Sequence, residues 1–258
     1  MSMLRQIVES KRREVADRGR LRPLAALRDA ERGAPRDFAA ALRGEGFAAI
    51  GEIKRRSPSR GVLRTDLVAA ELARTYERAG AAALSVLTDE TFFGGSESDL
   101  RAARAAVRLP VLRKDFIIDS YQVYEARAMG ADAVLLIVRI LDHGALRDLH
   151  ALTAELGLAA LVEVHDEREL ERAAAVGARL IGVNNRDLDT LAVSLDTCLR
   201  LRPRIPAGCI AVAESGIARR ADVERLERAG YDAMLVGESL VSSADPAAKL
   251  AELLGVSP

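Results

Sequence analysis

The chain has 258 residues, and its 38 Lys and Arg are matched by 38 Asp and Glu. That balance gives no electrostatic case for a nucleic-acid or anionic-membrane partner, and no apolar stretch reaches the roughly 18–20 residues that span a bilayer. The two cysteines, Cys198 and Cys209, lack metal-ligand spacing, which argues against a zinc site and fits a reduced, cytoplasmic compartment.

In chain order, residues 3–18 place Leu4, Ile7, Val8 and Val15 on one helical face. Leu21–Arg28 and Pro35–Leu42 read as shorter helices, with Pro35 and Asp37 suited to a helix start. This helical preface could be a lid, an oligomerisation arm or simple packing, and the sequence alone leans to packing. From Ala48 strands and helices alternate. The strand-like runs are Ala48–Ile53, Ala82–Leu87, Pro110–Leu112, Ala133–Val138, Ala159–Val164, Leu180–Val183, Cys209–Ala213 and Ala233–Val236. Helical patterns lie between them at Leu67–Arg78, Asp99–Arg108, Tyr121–Met129, Asp142–Leu156, Glu167–Val176, Leu195–Leu201 and Arg220–Arg228, and Pro246–Leu254 follows the last strand. Asp66, Asp142 and Asp166 suit helix N-caps, and Glu169 completes a capping-box pattern with Asp166.

Eight strand–helix units in a row predict a parallel sheet with helical crossovers. Gly80, Gly130, Gly177 and Gly230 each end a helix and feed a strand, at intervals of about two βα units. Together with the length, this predicts an α/β fold of the (β/α)8 barrel type with an N-terminal helical extension. An open doubly wound sheet fits eight units less well, and no G-x-G-x-x-G follows the first strand. No composition break marks a second domain. Residues 1–258 therefore read as a single domain, with the extension at 1–45 and the barrel at 46–258. The chain's end soon after the eighth helix predicts no fused second enzyme.

In such a barrel the reactive groups gather at the C-terminal ends of the strands. Those ends carry Glu52 and Lys54, Lys114, Glu163, Asn184 with Arg186, Glu214-Ser215-Gly216 and Gly237-Glu238-Ser239. Glu52 and Lys54 sit two apart and share one face of a strand, where charge must be paired or used. A rim salt bridge is the bland alternative. Lys114 beside Asp115 could be a solvated loop charge. Glu163 lies inside the apolar run Leu161-Val162-Glu163-Val164, so solvation explains it poorly. Asn184 could simply satisfy loop backbone groups, and Phe93 and Phe116 could belong to the core. His143, His150 and His165 share no pattern and read as surface or loop residues. Small residues after the seventh and eighth strands offer backbone N–H groups ahead of helices, the usual phosphate cradle of this fold. Two lysines and two glutamates over a phosphate cradle suit acid–base chemistry on a phosphosugar, with no cofactor or metal.

Six runs make the match specific. They are Glu52-Ile53-Lys54-Arg55-Arg56-Ser57-Pro58-Ser59, Leu87-Thr88-Asp89-Glu90 with Phe93-Gly94-Gly95-Ser96, Leu112-Arg113-Lys114-Asp115-Phe116, Leu161-Val162-Glu163-Val164, Gly182-Val183-Asn184-Asn185-Arg186-Asp187-Leu188 and Ala213-Glu214-Ser215-Gly216-Ile217. In this order, and across nearly the whole chain, they resemble indole-3-glycerol-phosphate synthase. The resemblance implies ring closure, decarboxylation and dehydration of 1-(2-carboxyphenylamino)-1-deoxyribulose 5-phosphate in tryptophan biosynthesis. It implies Lys114 as general acid and Glu163 as the base of the dehydration. Lys54 would bridge substrate carboxylate and phosphate, Glu52 would orient the lysines, and Asn184 and Arg186 would orient hydroxyl and carboxylate groups. Ser57 would anchor the anthranilate carboxylate, Phe93 and Phe116 would sandwich the aromatic ring, and Glu214 would join the substrate-binding set. Ser215, Gly216, Gly237 and Glu238 would hold phosphate. The implied partner is this small phosphosugar–anthranilate substrate, and the expected assembly is a monomer or weak homodimer. Three rivals share the fold. A phosphoribosyl-amine isomerase wants a Cys/Asp pair where this chain has Lys/Glu, a Schiff-base aldolase would use Lys114, and a non-catalytic phosphosugar-binding barrel would not need so many ionisable groups at its rim.

Overall fold

Eight parallel strands close on one another in a computed structural model that describes residues 2–30, 33–44 and 46–256. The expected domain limits at Met1, Glu45 and Pro258 lie outside the described residues. The strands are β1 (Ala48–Ile53), β2 (Ala83–Leu87), β3 (Val111–Lys114), β4 (Ala133–Ile137), β5 (Ala159–Val164), β6 (Leu180–Asn184), β7 (Ile210–Glu214) and β8 (Ala233–Val236). Each pairs with its sequence neighbours, and β1 pairs with both β2 and β8, so no edge remains. The chain is thus the expected (β/α)8 barrel.

The helices follow the expected alternation. The preface holds α1 (Met3–Leu21), α2 (Leu24–Arg28) and α3 (Phe38–Ala41). Around the barrel lie α4 (Ala69–Arg78), α5 (Glu90–Phe93), α6 (Glu97–Ala106), α7 (Ser120–Met129), α8 (His143–Glu155), α9 (Glu167–Ala175), α10 (Asp196–Leu201), α11 (Arg220–Ala229), α12 (Glu238–Val241) and α13 (Pro246–Leu254). Asp37 and Asp142 cap as expected, accepting from the Ala40 and Ala145 amides. Asp166 accepts from the Glu169 amide, but Glu169 returns its bond to the His165 amide, one residue before the cap. Asp66 caps nothing. The helix starts after Val68, and Asp66 pairs on the surface with Arg64.

Strand alternation sorts the core into two shells. Ile50, Ala83, Leu112, Leu135, Leu161, Leu180, Val212 and Leu235 fill the barrel interior in one buried cluster. Their neighbours along each strand pack outward against the helices in a second cluster. The interior cluster also contains Leu4 and Ile7 of α1 and Phe38 and Leu42 beside α3. The preface therefore contributes to the core from two separate places.

Two of the repeat glycines have a visible partner feature. Gly130 and Gly230 end their helices with φ of 89° and 90°, in the left-handed region. Two residues later, Asp132 and Asp232 accept from the amides that open the preceding strands, Val111 and Ala211. Asp132 does more. It also accepts from the Arg36 amide at 2.9 Å and pairs with Arg104, whose guanidinium in turn donates to the Ala34 carbonyl. One buried carboxylate thus fastens the preface to the floor of the barrel. Asp132→Ala leaves the Val111 amide and the Arg104 charge without that partner, so a loss of about 3 kcal/mol is expected in urea unfolding.

Candidate active site

The C-terminal ends of the strands surround a cavity of about 770 Å³. All of the residues singled out for the site reach its lining: Glu52, Lys54, Ser57, Phe93, Lys114, Phe116, Glu163, Asn184, Arg186, Glu214, Ser215, Gly216, Gly237 and Glu238. They come from loops and strands spread around the barrel, so the closed sheet is what brings them together.

Lys114 occupies the centre. It is the last residue of β3, and its ammonium lies 2.6 Å from Glu214 Oε2 and 3.1 Å from Glu163 Oε2. Burial opposes its charge, but Glu214, Glu163 and Glu52 outweigh burial and raise its pKa above the ordinary lysine value. It stays protonated. Glu214 shows the other side of the same contact. Burial pushes its carboxyl up to about 7; Lys114 pulls down, while Glu163 and Glu52 push up. A single ammonium facing two carboxylates in an enclosed site cannot fully offset both. The other Glu214 oxygen, Oε1, is buried with no hydrogen-bond partner among the described residues. It fits only because residue 182 is glycine: a Cβ there would lie 2.1 Å from it.

Glu52 and Lys54 form a second pair, 2.6 Å apart on the inner side of β1. Burial opposes ionisation of Glu52, yet Lys54 and Lys114 overcome it and hold this carboxyl below the usual range. The salt bridge and the site are therefore one arrangement. Gly237 lies against it, since a Cβ there would come within 2.4 Å of Glu52 Oε1.

Asn184, at the end of β6, donates to Glu163 Oε1 at 3.0 Å and accepts from the Arg186 amide at 3.0 Å. Asn184 thus satisfies a loop amide as well as facing Glu163, and its neighbour ties down more of the loop backbone. Asn185 is fully buried, donates to the Ser215 carbonyl and accepts from the Cys198 amide. That grip holds Ser215 in a left-handed conformation, φ 66°, next to Gly216 at φ 75°. Ser239 donates to the Ile217 carbonyl and ties the loops after β7 and β8 together. Small residues and backbone amides line this end of the cavity, as a phosphate cradle requires. The Glu238 carboxylate also lies here, 2.8 Å from Arg60 and 3.3 Å from Arg186.

The opposite part of the lining is apolar. Phe93 and Phe116 meet with ring centroids 6.0 Å apart and planes tilted by 39°. The gap between them is narrower than the expected sandwich of a substrate ring would occupy. A ring slotted between two others needs about 7 Å between the outer planes, twice a carbon–carbon contact. The two phenylalanines instead make one continuous wall, joined by Met3, Leu4 and Ile7 of α1. Ser57 lies in a short hairpin, Arg56–Ser57 paired with Gly61–Val62, and accepts from the Arg60 amide at 3.3 Å.

Several functional neighbours were not singled out from the sequence. For the α1 residues at the wall the sequence alone leans to packing, and only the resemblance implies an extension over the active-site face. Arg60 reads as an ordinary loop charge until the hairpin folds it toward Glu238. His165 is a loop residue as expected, yet its Nδ1 lies 2.7 Å from the Asn184 carbonyl and steadies the end of β6. Asp115, beside Lys114, is buried just past the end of β3. A signal for it existed in the sequence, because Arg113 and Asp115 sit two apart, on one side of an extended chain, and can pair.

Comparison with known proteins follows the same line. The family model described as indole-3-glycerol phosphate synthase matches residues 4–253. A protein of that name from Nocardioides sp. is 54% identical over 258 residues, covering 99% of each chain. Another from Polaromonas naphthalenivorans is 52% identical over 259 residues, covering 98% of each. Among solved structures, 3-hexulose-6-phosphate synthase from Salmonella typhimurium superposes with a TM-score of 0.65 at 15% identity, over 81% of this chain and 97% of that one. That last likeness concerns the barrel alone. The model match and the full-length relatives decide the family: the chain belongs to the indole-3-glycerol phosphate synthases.

Proposed function

We propose that this protein is a carboxy-lyase that converts 1-(2-carboxyphenylamino)-1-deoxyribulose 5-phosphate into indole-3-glycerol phosphate, carbon dioxide and water. The observation that carries the reading is the Lys114 ammonium, held between Glu163 and Glu214 and facing a cavity with an apolar wall on one side and a small-residue cradle on the other. Those two ends match the two ends of the substrate, an aromatic ring and a phosphate.

The chemistry follows from the placement. The aromatic ring packs on the wall of Phe93 and Phe116, and the phosphate binds the amides around Ser215, Gly216, Gly237 and Glu238. Fixing both ends brings the ring carbon that bears the carboxylate against the ketose carbonyl carbon. As the carbon–carbon bond forms, Lys114 protonates the carbonyl oxygen and offsets its developing charge. The carboxylate leaves as carbon dioxide, and its bonding pair restores aromaticity. The new hydroxyl then takes a second proton from Lys114, recharged by Glu214, and leaves as water while Glu163 accepts a proton from the ring CH2 beside nitrogen; the carbon–carbon double bond of the indole forms between those two positions, so no electron-sink cofactor is needed. Lys54 bridges the substrate's anionic groups, with Glu52 keeping it oriented. Arg186 and Ser57 take the anthranilate carboxylate, Asn184 aims Glu163, and Glu214 returns charge and a proton to Lys114.

The test is the appearance of indole fluorescence from the ketose phosphate. Wild-type chain is expected to turn over without added metal or cofactor. Lys114→Ala and Glu163→Gln are each expected to lower kcat by about 10²–10⁴-fold, the range for removing a general acid or base. If both retain wild-type turnover, the assignment of acid and base is wrong. Borohydride trapping of substrate on Lys114 would favour a Schiff-base aldolase instead.

A second prediction concerns pH. The folded-state pKa of Glu214, about 7, lies above its ordinary value of 4.5. Folding therefore favours its protonated form, and that contribution is complete below pH 4.5 and is lost as pH rises through 7. Glu214→Gln cannot ionise. Urea unfolding across this window is expected to show wild type losing stability relative to Glu214→Gln as pH rises; parallel curves would refute the raised pKa.

A further inference from the structure

The reading of Lys114 as general acid leaves open what fixes its backbone. Lys114 is flanked by two buried side chains, Arg113 within β3 and Asp115 just past its end, where Asp115 also borders the cavity. The Arg113 guanidinium donates to Thr88 Oγ1 at 3.0 Å, to Asp115 Oδ2 at 3.1 Å, to Glu125 Oε2 at 2.7 Å and to the Gln122 carbonyl at 2.8 Å. Thr88 donates its hydroxyl to Asp115 at 2.6 Å and its amide to the carbonyl of Lys114 itself at 3.2 Å. Asp115 then needs one more cation, and it comes from outside the barrel. Lys11 of α1 reaches in until it is 1% exposed, with its ammonium 2.9 Å from Asp115 Oδ1, 3.0 Å from Asp89 and 2.8 Å from Glu14. No other charged residue of α1 is buried.

A buried ion network of this kind is a poor source of net stability, because desolvation offsets most of its Coulombic attraction. Hydrophobic side chains would hold α1 in place as well or better. What ions supply that apolar packing does not is fixed direction, through hydrogen bonds of defined length and angle. Here the direction bears on one backbone segment, Thr88 against Lys114-Asp115. The same ammonium also holds Asp89, whose other oxygen accepts from the Phe92 and Phe93 amides and so caps the turn that carries Phe93 to the cavity wall.

We propose that Lys11 is a positioning residue for the reaction: by pairing with Asp115 just past β3, it holds Lys114 in line with Glu163 and Glu214, and so makes catalysis depend on docking of the N-terminal helix. The helix is then part of the support of the catalytic lysine as well as part of the cavity wall.

The test uses the fluorescence assay on the full chain, at a temperature where circular dichroism shows each variant folded. Lys11→Met keeps the length of the side chain and removes its charge. Its kcat is expected to fall about 10–100-fold, the loss that a small misplacement of a catalytic group produces, with KM changed less than about threefold. Lys11→Arg is expected to recover most of kcat. Glu14→Gln removes a different partner of the same lysine, away from Asp115, and is expected to lower the melting temperature while leaving kcat unchanged. Thr88→Val loosens Asp115 from the other side without touching α1, and is expected to lower kcat in the same way. Wild-type kcat in Lys11→Met, or a loss confined to KM, overturns the proposal. If Lys11→Met does not fold, wild-type kcat in Thr88→Val overturns it. The proposal rests on Lys114 acting as the acid, which the Lys114→Ala measurement decides separately; a dead Lys114→Ala beside a fully active Lys11→Met removes the positioning role alone.

Discussion

The contact on which the site depends is one ammonium shared by two carboxylates. In water such a contact would be weak and screened. At the mouth of this barrel Lys114, Glu163 and Glu214 are enclosed, so each charge is felt strongly by the others. The arrangement keeps Lys114 protonated and Glu214 near neutrality of its carboxyl, which is an acid with a proton source beside it. It also demands space in the barrel wall. Glycine at 182 supplies that space for Glu214, and glycine at 237 supplies it for Glu52. Two positions that carry no functional group are thus set by the carboxylates they accommodate.

The barrel was legible because its strands are bounded by helix caps and its core alternates cleanly. Ala48–Ile53, Ala159–Val164 and Ala233–Val236 have the limits that their apolar patterns suggest. The runs that were cut short are those ending in functional residues. The third strand continues through Lys114, the sixth through Asn184 and the seventh through Glu214. In each, a polar residue (Arg113 on the outer side of the third strand, Asn184 and Glu214 in the other two) breaks the apolar pattern although the hydrogen-bond ladder goes on. A polar residue in a barrel strand looks like a loop residue to any reading based on hydrophobic period. The strand ends cut short therefore fell at the site itself. The motifs still identified the residues, because matching a run of residue types does not depend on where the strand stops.

The preface was the least legible part, for a different reason. Its helical period is plain, but its function lies in contacts distant along the chain. Nothing near Lys11 in sequence indicates that it faces Asp89 and Asp115, and a lysine on a helix among Arg and Glu reads as a solvated surface charge. Likewise Leu4 and Ile7 read as packing residues, which they are. Their residue types do not reveal that the surface they complete is the wall of the cavity; only the family resemblance implies an extension over the active-site face. Long-range pairing of ordinary residue types leaves no local trace.

The two ends of the cavity differ in how they are built, and the difference follows from what each must hold. The apolar wall is made of side chains from α1, α5 and the segment after β3, elements that Lys11 ties together through Asp89 and Asp115. An aromatic ring has no charge to direct it, so shape must do so, and shape requires rigid support behind the wall. The cradle is made of backbone, with Asn185 and Ser239 fixing its two loops. A phosphate carries its own directing charge, and amides already aimed at it need little further adjustment. Arg60 and Arg186 lie beside that cradle, both engaged with the Glu238 carboxylate. On the proposed reading, a phosphate entering there competes with Glu238 for Arg60 and the anthranilate carboxylate competes with it for Arg186, so the free site holds both cations in place without leaving them unpaired. Binding at this end exchanges one set of ion pairs for another, whereas binding at the wall removes apolar surface from water. On that reading the favourable drive for capture comes mainly from the aromatic half, and the phosphate half sets orientation.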